Sequence, residues 1–265
     1  MKTRRVRFLS FLTLLFALLA ASQEPTHAEE SSSKLRVLII SGGHAFEHDQ
    51  FFKLFQDNSD ITFKAAEHPN ALVLLRPESA KQFDVLVTYD YWQDISEEAK
   101  KDFLDWLKQG KGLLVLHHAI ASYQEWPEYR KIIGARYYLK KMVVDGVEKP
   151  RSAFKHGVHF QIHVADPDHP VTRGVKDFDM HDEVYKWFDV APESHQLLTT
   201  DEPESNKVIG WSKTYESARV VYLQSGHDHF AYENSNYQQL VRQAIRWVAK
   251  KDQADGQSNG KASGQ

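Results

Sequence analysis

The chain has 265 residues, a formal net charge of −3 and no cysteine. The length suits one α/β domain, and the lack of cysteine excludes both disulfide bonds and a thiolate nucleophile. A mildly acidic chain without a basic stripe argues against a nucleic-acid partner and against a membrane-surface role. Fourteen histidines are the unusual feature of the composition.

The N-terminal residues have the three parts of a secretory signal. A basic start precedes an apolar run over residues 8–20, which the small residues Ala21 and Ser22 follow. The run is shorter than the ~20 residues that a transmembrane helix needs. We therefore predict a signal peptide over residues 1–22, with cleavage as late as residue 28 also compatible, and a polar linker over 23–33. The protein would then be exported to the periplasm or the extracellular space without stable membrane insertion. An uncleaved N-terminal anchor is the alternative.

The first half of the remaining chain alternates apolar strands with helices. Strands are predicted over residues 35–40, 61–66, 85–89 and 112–116, and most of them read as the unbroken apolar runs of a buried parallel sheet. Helices are predicted over residues 49–55, 77–82 and 126–133. A further amphipathic helix is predicted to begin after Ser96, a favourable N-cap, and to end at Gly110.

The second half changes character. Residues 158–164 alternate between polar and apolar side chains, which predicts a half-exposed strand. Further strands are predicted over residues 208–211 and 219–223, and a closing helix over 237–249. The pattern indicates an α/β domain over residues 34–250 with a doubly wound, mostly parallel sheet and an antiparallel extension. Residues 251–265 have no apolar side chain larger than Ala, which predicts a disordered tail.

Histidines cluster directly after several of the predicted strands. His44 and His48 follow the first strand, the pair His117-His118 follows the fourth, and His227 follows the last. Ligands of such sheets bind beyond the carboxyl ends of the strands. The sequence therefore predicts one shared polar site at that edge of the sheet.

Each cluster also has a second interpretation. His44-Ala45-Phe46-Glu47-His48 matches a zinc-peptidase pattern, but that pattern needs a continuous helix, and Gly42-Gly43 directly precede it. We therefore expect His44 to lie in a loop that faces the site.

The pair His117-His118 occupies the sharp strand-to-helix turn where other α/β enzymes place a nucleophile. A histidine there can bind a metal, donate to an oxyanion or move a proton, or it can simply fill the bend.

Acidic and histidine residues of the second half are further candidates. Asp182-Glu183 could complete a metal shell or supply a general base, or could be a solvated pair. His156, His159 and His163 could bind a metal on the face of a strand, although an exposed edge is the favoured interpretation.

Five short motifs in one order resemble a known family. They are GG-x-x-F-x-H at residues 42–48, G-x-x-x-x-H-H-A at 112–119, D-x-x-HP-x-T-x-G at 166–174, D-E-x-Y at 182–185 and R-V-x-Y-x-x-x-GH-D at 219–228. The chain resembles the ThuA-like, or trehalose-utilisation, family over residues 34–250. The resemblance implies a class I glutamine amidotransferase-like, flavodoxin-type fold without the amidotransferase cysteine. It also implies a link to disaccharide catabolism through 3-keto sugars.

The motifs and the strand-end positions together assign the candidate residues. The predicted catalytic residues are His48, His118, Asp182 and Asp228. The predicted ligands of a divalent metal, with zinc as the first choice, are His118, Glu183 and His227. The predicted substrate-binding residues are His44, Tyr89, His117 and Tyr185. No nucleotide cofactor is expected.

The predicted function is the processing of a trehalose-type disaccharide or keto-glycoside outside the cytoplasm, by metal-assisted enolisation, isomerisation or cleavage. The partner is then a small-molecule carbohydrate, and a homo-oligomer is compatible with the sequence. The alternative is a carbohydrate-binding module without turnover, which would need an open aromatic platform. The candidates for that platform are Tyr123, Tyr185, Trp92, Trp126 and Trp187. Plain hydrolase or peptidase activity, or an interaction role, is a third option.

Overall fold

A computed structural model describes residues 34–252 of the chain. The predicted signal peptide, the linker and all but the first two residues of the predicted tail lie outside this range. The strands are β1 Leu35–Gly42, β2 Ile61–Glu67, β3 Val85–Asp90, β4 Gly112–Leu116, β5 Ala135–Arg136, β6 Met142–Val144, β7 Val147–Lys149, β8 Ala153–Val164, β9 Phe178–Lys186, β10 Asp189–Val190, β11 His195–Thr199, β12 Val208–Tyr215 and β13 Ala218–Leu223. The α-helices are α1 His48–Gln56, α2 Pro77–Ala80, α3 Glu97–Lys108, α4 Pro127–Ile133, α5 His229–Tyr232 and α6 Ser235–Val248, with 3₁₀ helices at Asn70–Leu75 and His117–Ala121.

Nine strands form one mixed sheet in the order β2-β1-β3-β4-β13-β12-β11-β8-β9. The five strands from β2 to β13 pair in parallel, and β12, β11, β8 and β9 continue the sheet with antiparallel pairing. The prediction of a mostly parallel sheet with an antiparallel extension is therefore confirmed.

Apolar layers cover both faces of the parallel half. In β1, Val37 and Ile39 belong to the layer that contains α1 and α6, whereas Leu38 and Ile40 belong to the layer of α3 and α4. Successive side chains of a strand point to opposite faces, so a strand with two covered faces needs apolar residues throughout. This explains why β1, β3 and β4 are predominantly apolar, with only isolated polar residues such as Arg36 and Thr88.

Helix α3 begins where its capping signal predicts. The Ser96 hydroxyl accepts a hydrogen bond from the Ala99 backbone N–H at 3.2 Å, and Glu97 is the first helical residue. The predicted helix at residues 77–82 is shorter than expected, because only Pro77–Ala80 are α-helical. Among residues 34–252, no helix is long and apolar enough to span a membrane.

The antiparallel extension is longer than the sequence pattern predicts. Strand β8 begins at Ala153 rather than 158, and it pairs with β9, a strand that the pattern did not predict. In β8, Phe160 and Ile162 are buried while His159 and Gln161 are exposed, as the alternation predicts. Strand β9 carries Asp182 and Glu183, so the missed strand is the one that brings both carboxylates to the site.

Candidate functional site

The site is built around a sharp turn at the end of β4. His117 has a left-handed backbone with φ of +50°, and a 3₁₀ helix begins at this residue. A non-glycine residue rarely adopts this conformation, and such residues concentrate at functional sites. The side chains of His117 and His118 are both buried. The predicted sharp turn is therefore present.

Three side chains from separate elements meet beside this turn, and we name His117, Glu183 and His227 the His–Glu–His group. His117 Nε2 lies 3.0 Å from Glu183 Oε2 and 3.2 Å from His227 Nδ1. His227 Nδ1 lies 3.4 Å from the same carboxylate oxygen. One ligand atom from each residue falls within 4.8 Å of the others. Two imidazoles and a carboxylate are a donor set that suits zinc and related transition metals.

The hydrogen bonds of His117 fix which of its nitrogens is available. Its Nδ1 lies 2.7 Å from the Gln224 carbonyl oxygen, which can only accept, so Nδ1 carries the hydrogen. In the neutral imidazole, Nε2 then presents a lone pair toward the Glu183 carboxylate. This lone pair and the carboxylate repel each other at 3.0 Å, and a proton or a metal ion bound at Nε2 would remove that repulsion, while the Tyr185 hydroxyl at 2.9 Å can also donate to Nε2. An imidazole with its second nitrogen bound to a backbone carbonyl is typical of metal-binding histidines.

The charge state of the group follows from its contacts. Burial raises the pKa of Glu183, but hydrogen bonds and charge interactions with His117 and His227 outweigh burial, so the pKa lies well below its ordinary value. The hydrogen bond with Glu183 raises the pKa of His227, against the opposing effect of burial. The group therefore holds an ionised carboxylate in a mostly buried position, where a bound cation is favoured.

A cleft of about 130 Å³ opens beside the group. Glu183 and Tyr185 from β9 form part of its wall, and His44 and His118 lie on the side of the strand ends. The Tyr185 hydroxyl lies 2.9 Å from His117 Nε2, which links the cleft wall to the group. The remaining lining residues are Tyr91, Ile120, Ala121, Tyr137, Phe154 and His156. Mostly apolar and aromatic walls with a few polar groups are typical of small-molecule sites.

The sequence profile of one family, described as trehalose utilisation, matches residues 36–248. The chain belongs to the ThuA family. This confirms the resemblance drawn from the five motifs. No curated protein matches the sequence.

Solved structures share the fold of this ThuA-family protein. A ThuA-like protein from Parabacteroides merdae superimposes with a TM-score of 0.68 at 17% identity, covering 82% of this chain and 90% of its own. A ThuA-like protein from Bacteroides uniformis gives 0.66 at 20% identity, with 87% and 97% covered. A β-galactosidase from Bacillus circulans sp. alkalophilus gives 0.54 at 9% identity, and the match covers 81% of this chain but 31% of that enzyme. At these identities the likeness concerns the fold, which is class I glutamine amidotransferase-like.

The group that could hold a metal differs in one residue from the predicted ligand set. Glu183 and His227 belong to the group as expected, but His117, predicted to bind substrate, takes the place expected for His118. His118 Nδ1 lies 3.3 Å from the Asp90 carbonyl oxygen, and its Nε2 is buried without a hydrogen-bond partner among the described residues. Burial lowers the pKa of His118 well below its ordinary value, and the neighbouring imidazoles of His117 and His44 add to the effect. His118 is therefore a neutral imidazole that lines the cleft.

Asp182 has a different position from the one expected of a catalytic residue. Its carboxylate accepts hydrogen bonds from the backbone N–H groups of Gly226 at 2.7 Å and His227 at 3.0 Å. Burial raises the pKa of Asp182, and these backbone hydrogen bonds and the charge of His117 oppose the rise. Because neighbouring residues of a strand point to opposite faces, Glu183 faces the cleft while Asp182 holds the loop after β13. The Asp182 carboxylate therefore contacts the backbone of the loop that carries His227.

Three other predicted residues do not line the cleft. His48 is exposed at the start of α1, with its ring stacked 4.0 Å from that of Phe46. Tyr89, predicted to bind substrate, is buried, and its hydroxyl is 2.7 Å from both the Gly226 carbonyl oxygen and the Tyr232 hydroxyl. Asp228 caps α5 by accepting a hydrogen bond from Phe230 N–H at 3.0 Å. Tyr89 thus lies in the core, Asp228 caps a helix and His48 lies on the surface. The predicted substrate-binding residues His44 and Tyr185 do line the cleft.

The zinc-peptidase pattern at residues 44–48 does not form a helical site. Helix α1 begins at His48, so His44 and Glu47 precede it. The Glu47 carboxylate instead accepts a hydrogen bond from the His229 backbone N–H at 2.6 Å and contacts its imidazole at 3.0 Å. The expectation that His44 lies in a loop is confirmed.

The structure adds one functional candidate that the sequence had placed on an exposed edge. His156 Nδ1 lies 3.3 Å from Glu183 Oε1, and its ring centroid is 4.6 Å from that of His227. The sequence pattern grouped His156 with His159 and His163 and gave no signal that separates it from them. The pairing of β8 with β9 is the signal that does so, and it depends on a strand that the sequence pattern did not reveal.

Proposed function

We propose that this ThuA-family protein processes a carbohydrate, of the trehalose-type disaccharide or keto-glycoside class, in the cleft beside the His–Glu–His group. The carbohydrate class comes from the family, whose description is trehalose utilisation. The observation that carries the proposal is the buried approach of His117 Nε2 to the Glu183 carboxylate at 3.0 Å. A divalent metal, with zinc as the first candidate, would be held there by His117, Glu183 and His227.

The cleft residues suit proton transfer at a carbon next to a keto group. A bound metal would supply charge stabilisation for a carbonyl or hydroxyl oxygen. His118 is a lining residue of the same cleft, and its buried Nε2 has no hydrogen-bond partner among the described residues. In enolisation, His118 Nε2 takes the proton, the C–H electron pair becomes the C=C bond of the enolate, and negative charge develops on the keto oxygen. For isomerisation, the hydroxyl proton of the deprotonated carbon moves to the former keto oxygen, and His118 returns its proton to the former carbonyl carbon. For cleavage, the enolate re-forms the carbonyl as a C=C bond forms to the next carbon, and the β-substituent leaves with its electron pair and takes up a proton.

The alternative of a binding module without turnover has less support. Such a module needs exposed aromatic rings, but Tyr123, Tyr185 and Trp126 are buried. Trp92 and Trp187 are exposed, and neither lines the cleft. Phe154 is exposed and does line the cleft, but the Glu183 carboxylate and the neutral, buried His118 in the same wall favour an enzyme.

Deuterium exchange tests the proposal directly. The purified chain would be incubated in D₂O with trehalose and with 3-keto-trehalose, and proton signals of the sugar carbons would be followed by NMR. We expect the keto sugar to exchange, isomerise or cleave, and His118→Gln to slow this by about 10²–10⁴-fold, the contribution typical of one acid–base group. His163→Gln, outside the cleft, should not change the rate. Binding without any exchange would favour the non-catalytic module. The absence of both binding and exchange would contradict the carbohydrate assignment.

Export is part of the same proposal. The basic start and apolar run of residues 2–20 support secretion to the periplasm or extracellular space. Cell fractionation with N-terminal sequencing of the mature protein would test it. A product that begins after residue 22 or 28 is expected, and an intact N-terminus in the cytoplasm would contradict export.

A further inference from the structure

A second cavity opens at the carboxyl ends of β2 and β3, the edge of the sheet where ligands of such folds bind. His68 directly follows β2, Trp92 follows β3, and the rest of the wall comes from the 3₁₀ helix Asn70–Leu75 and the start of α3. The volume is about 440 Å³, compared with about 130 Å³ for the cleft. We name this cavity the second groove, and its lining includes His68, Val73, Arg76, Trp92, Glu98 and Asp102.

The floor of the second groove is held by buried polar contacts. The side chain of His68 is 3% exposed, and its Nε2 lies 3.4 Å from Asp90 Oδ2 and 3.2 Å from the Tyr123 hydroxyl oxygen. Asp90 and Tyr123 are themselves buried. A floor fixed in this way is formed before a ligand arrives, which lowers the ordering cost of binding.

Trp92 presents an aromatic ring to the second groove. The residue is 64% exposed, and Val73 in the same wall is 46% exposed. The Trp92 backbone is left-handed, with φ of +45°. An exposed aromatic ring in a concave wall offers a flat apolar surface on which the C–H face of a ligand can pack.

Asp102 is a nearly buried carboxylate that the protein leaves without a partner. It is 6% exposed and lines the second groove, and within residues 34–252 no hydrogen bond or salt bridge reaches its carboxylate. The neighbouring lysines bind other acids, since Lys100 Nζ is 2.6 Å from Glu97 and Lys101 Nζ is 2.7 Å from Asp105. Burial of a polar group without a partner is costly, and a donor that enters the groove would remove that cost.

The wall of the second groove offers donors as well as acceptors. Arg76 Nη2 lies 3.1 Å from Glu98 Oε1, and both side chains keep exposed polar atoms, at 42% and 68% exposure. An anionic ligand would meet the carboxylates of Glu98 and Asp102, and a cationic one would meet the Arg76 guanidinium. A neutral ring with many hydroxyl groups both donates and accepts, so it satisfies Asp102 and Arg76 together.

We propose that the second groove is a saccharide-binding site, in which a sugar ring packs on Trp92 and donates hydroxyl hydrogen bonds to Asp102. The site is distinct from the cleft and needs neither a metal nor turnover there. Tyr91 lines the cleft and the adjacent Trp92 lines the second groove, so one short segment contributes to both. Trp92, which the sequence placed in an aromatic platform, thus serves a cavity other than the cleft.

Fluorine NMR of the chain labelled with 5-fluorotryptophan reports this groove separately. The chain has six tryptophans, of which Trp92 lines the second groove and none lines the cleft. The spectra of Trp92→Phe and Trp187→Phe identify the two resonances, and Trp187, 54% exposed, lines neither cavity. Titration with trehalose, maltose and cellobiose should shift the Trp92 resonance in a saturable way and leave that of Trp187 in place.

Matched variants test the part of Asp102. Asp102→Ala should weaken saccharide binding about 10–100-fold, the loss expected for hydrogen bonds to a charged acceptor. Glu97→Gln, on the same helix with a side chain that is 89% exposed, should bind as the wild type does. His118→Gln, in the cleft, should also keep the wild-type affinity at Trp92. Far-UV circular dichroism of each variant ensures that folded proteins are compared.

The contrary outcomes are distinct from failure of the proposed function. If no saccharide shifts the Trp92 resonance, or if Asp102→Ala binds as tightly as Glu97→Gln, the saccharide site is overturned. A saturable shift with choline and none with the saccharides would overturn it in favour of an organic cation, which tryptophan and carboxylates also bind. Deuterium exchange of the keto sugar would proceed in each case, because it depends on the cleft.

Discussion

The Asp182 carboxylate holds the backbone of His227, with Oδ1 accepting a hydrogen bond from the His227 N–H at 3.0 Å. Its second oxygen accepts from the Gly226 N–H at 2.7 Å. Strand β9 therefore positions two members of the site at once, since Glu183 joins the His–Glu–His group directly and Asp182 fixes the loop that carries His227. The adjacent carboxylates have separate roles because they lie on opposite faces of one strand.

Replacement of Asp182 by Asn should weaken the hydrogen bonding of this loop to β9. An amide has one acceptor oxygen in place of two, so one buried N–H loses its partner, at a cost of about 1–3 kcal/mol. Urea unfolding should show that loss, and metal affinity should fall because His227 is no longer fixed. Asp179→Asn, at an exposed position of the same strand, is the control and should leave both quantities unchanged. Equal behaviour of the two variants would contradict the positioning role.

Gly226 is required by its conformation and by its surroundings. Its φ is +128°, and an added Cβ would lie 2.5 Å from the Tyr237 hydroxyl oxygen. Gly146 also has positive φ, +78°, but an added Cβ there would have no neighbour within 4 Å. We expect Gly146→Ala to cost about 1 kcal/mol from backbone strain alone, and Gly226→Ala to cost a further 1–3 kcal/mol, roughly, from overpacking. Equal losses of unfolding free energy would show that the Tyr237 contact relaxes freely.

Acid should destabilise the protein through His169. Burial lowers the pKa of His169 to about 4. The charges of His195 and Arg219 lower it further, whereas Asp166 and Asp252 oppose the shift. The folded state protonates His169 less readily than the unfolded chain does. The contribution of neutral His169 to the free energy of unfolding is therefore fully present above the ordinary pKa of 6.5. It is lost as the pH falls toward about 4, below which this group adds no further loss.

His169→Asn tests that origin of acid sensitivity. Asparagine can still accept the hydrogen bond that His169 Nδ1 receives from the Val171 N–H at 3.1 Å, and it does not titrate. Melting temperatures at pH 7.5 and 4.5 should therefore differ less in this variant than in the wild type. His48→Asn, at an exposed position, should keep the wild-type dependence. An unchanged pH dependence in His169→Asn would assign the acid sensitivity to other groups.

The parallel half of the fold could be predicted because its residues obey a local rule. A strand such as β3, covered on both faces, has apolar side chains at four of its six positions, and the capping of α3 by Ser96 involves neighbours in sequence. Strand β9 lacked such a signal, since its sequence FDMHDEVYK carries four charged side chains. Two of these are buried only because partners distant in sequence, the loop after β13 and His117, satisfy them.

The same difference between local interactions and interactions distant in sequence applies to the site. Histidines at strand ends could be predicted to share one edge of the sheet, because parallel strands bring their carboxyl ends together. The choice between His117 and His118 could not, because it depends on the left-handed backbone of His117 and on the Gln224 carbonyl that binds its Nδ1. The approach of His156 to Glu183 likewise depends on the register between β8 and β9.

Zinc binding by the His–Glu–His group is the most direct test of the account. Apo-protein prepared without a metal-affinity column would be dialysed against Zn²⁺, and bound metal measured by mass spectrometry. The wild type and the control Glu97→Gln, whose side chain is 89% exposed, should each hold about one ion per chain. Glu183→Gln should weaken binding by at least about 10–100-fold, the loss that even an outer-shell partner causes. Absence of zinc from the wild type, or equal zinc in Glu183→Gln, would contradict a metal site at these residues.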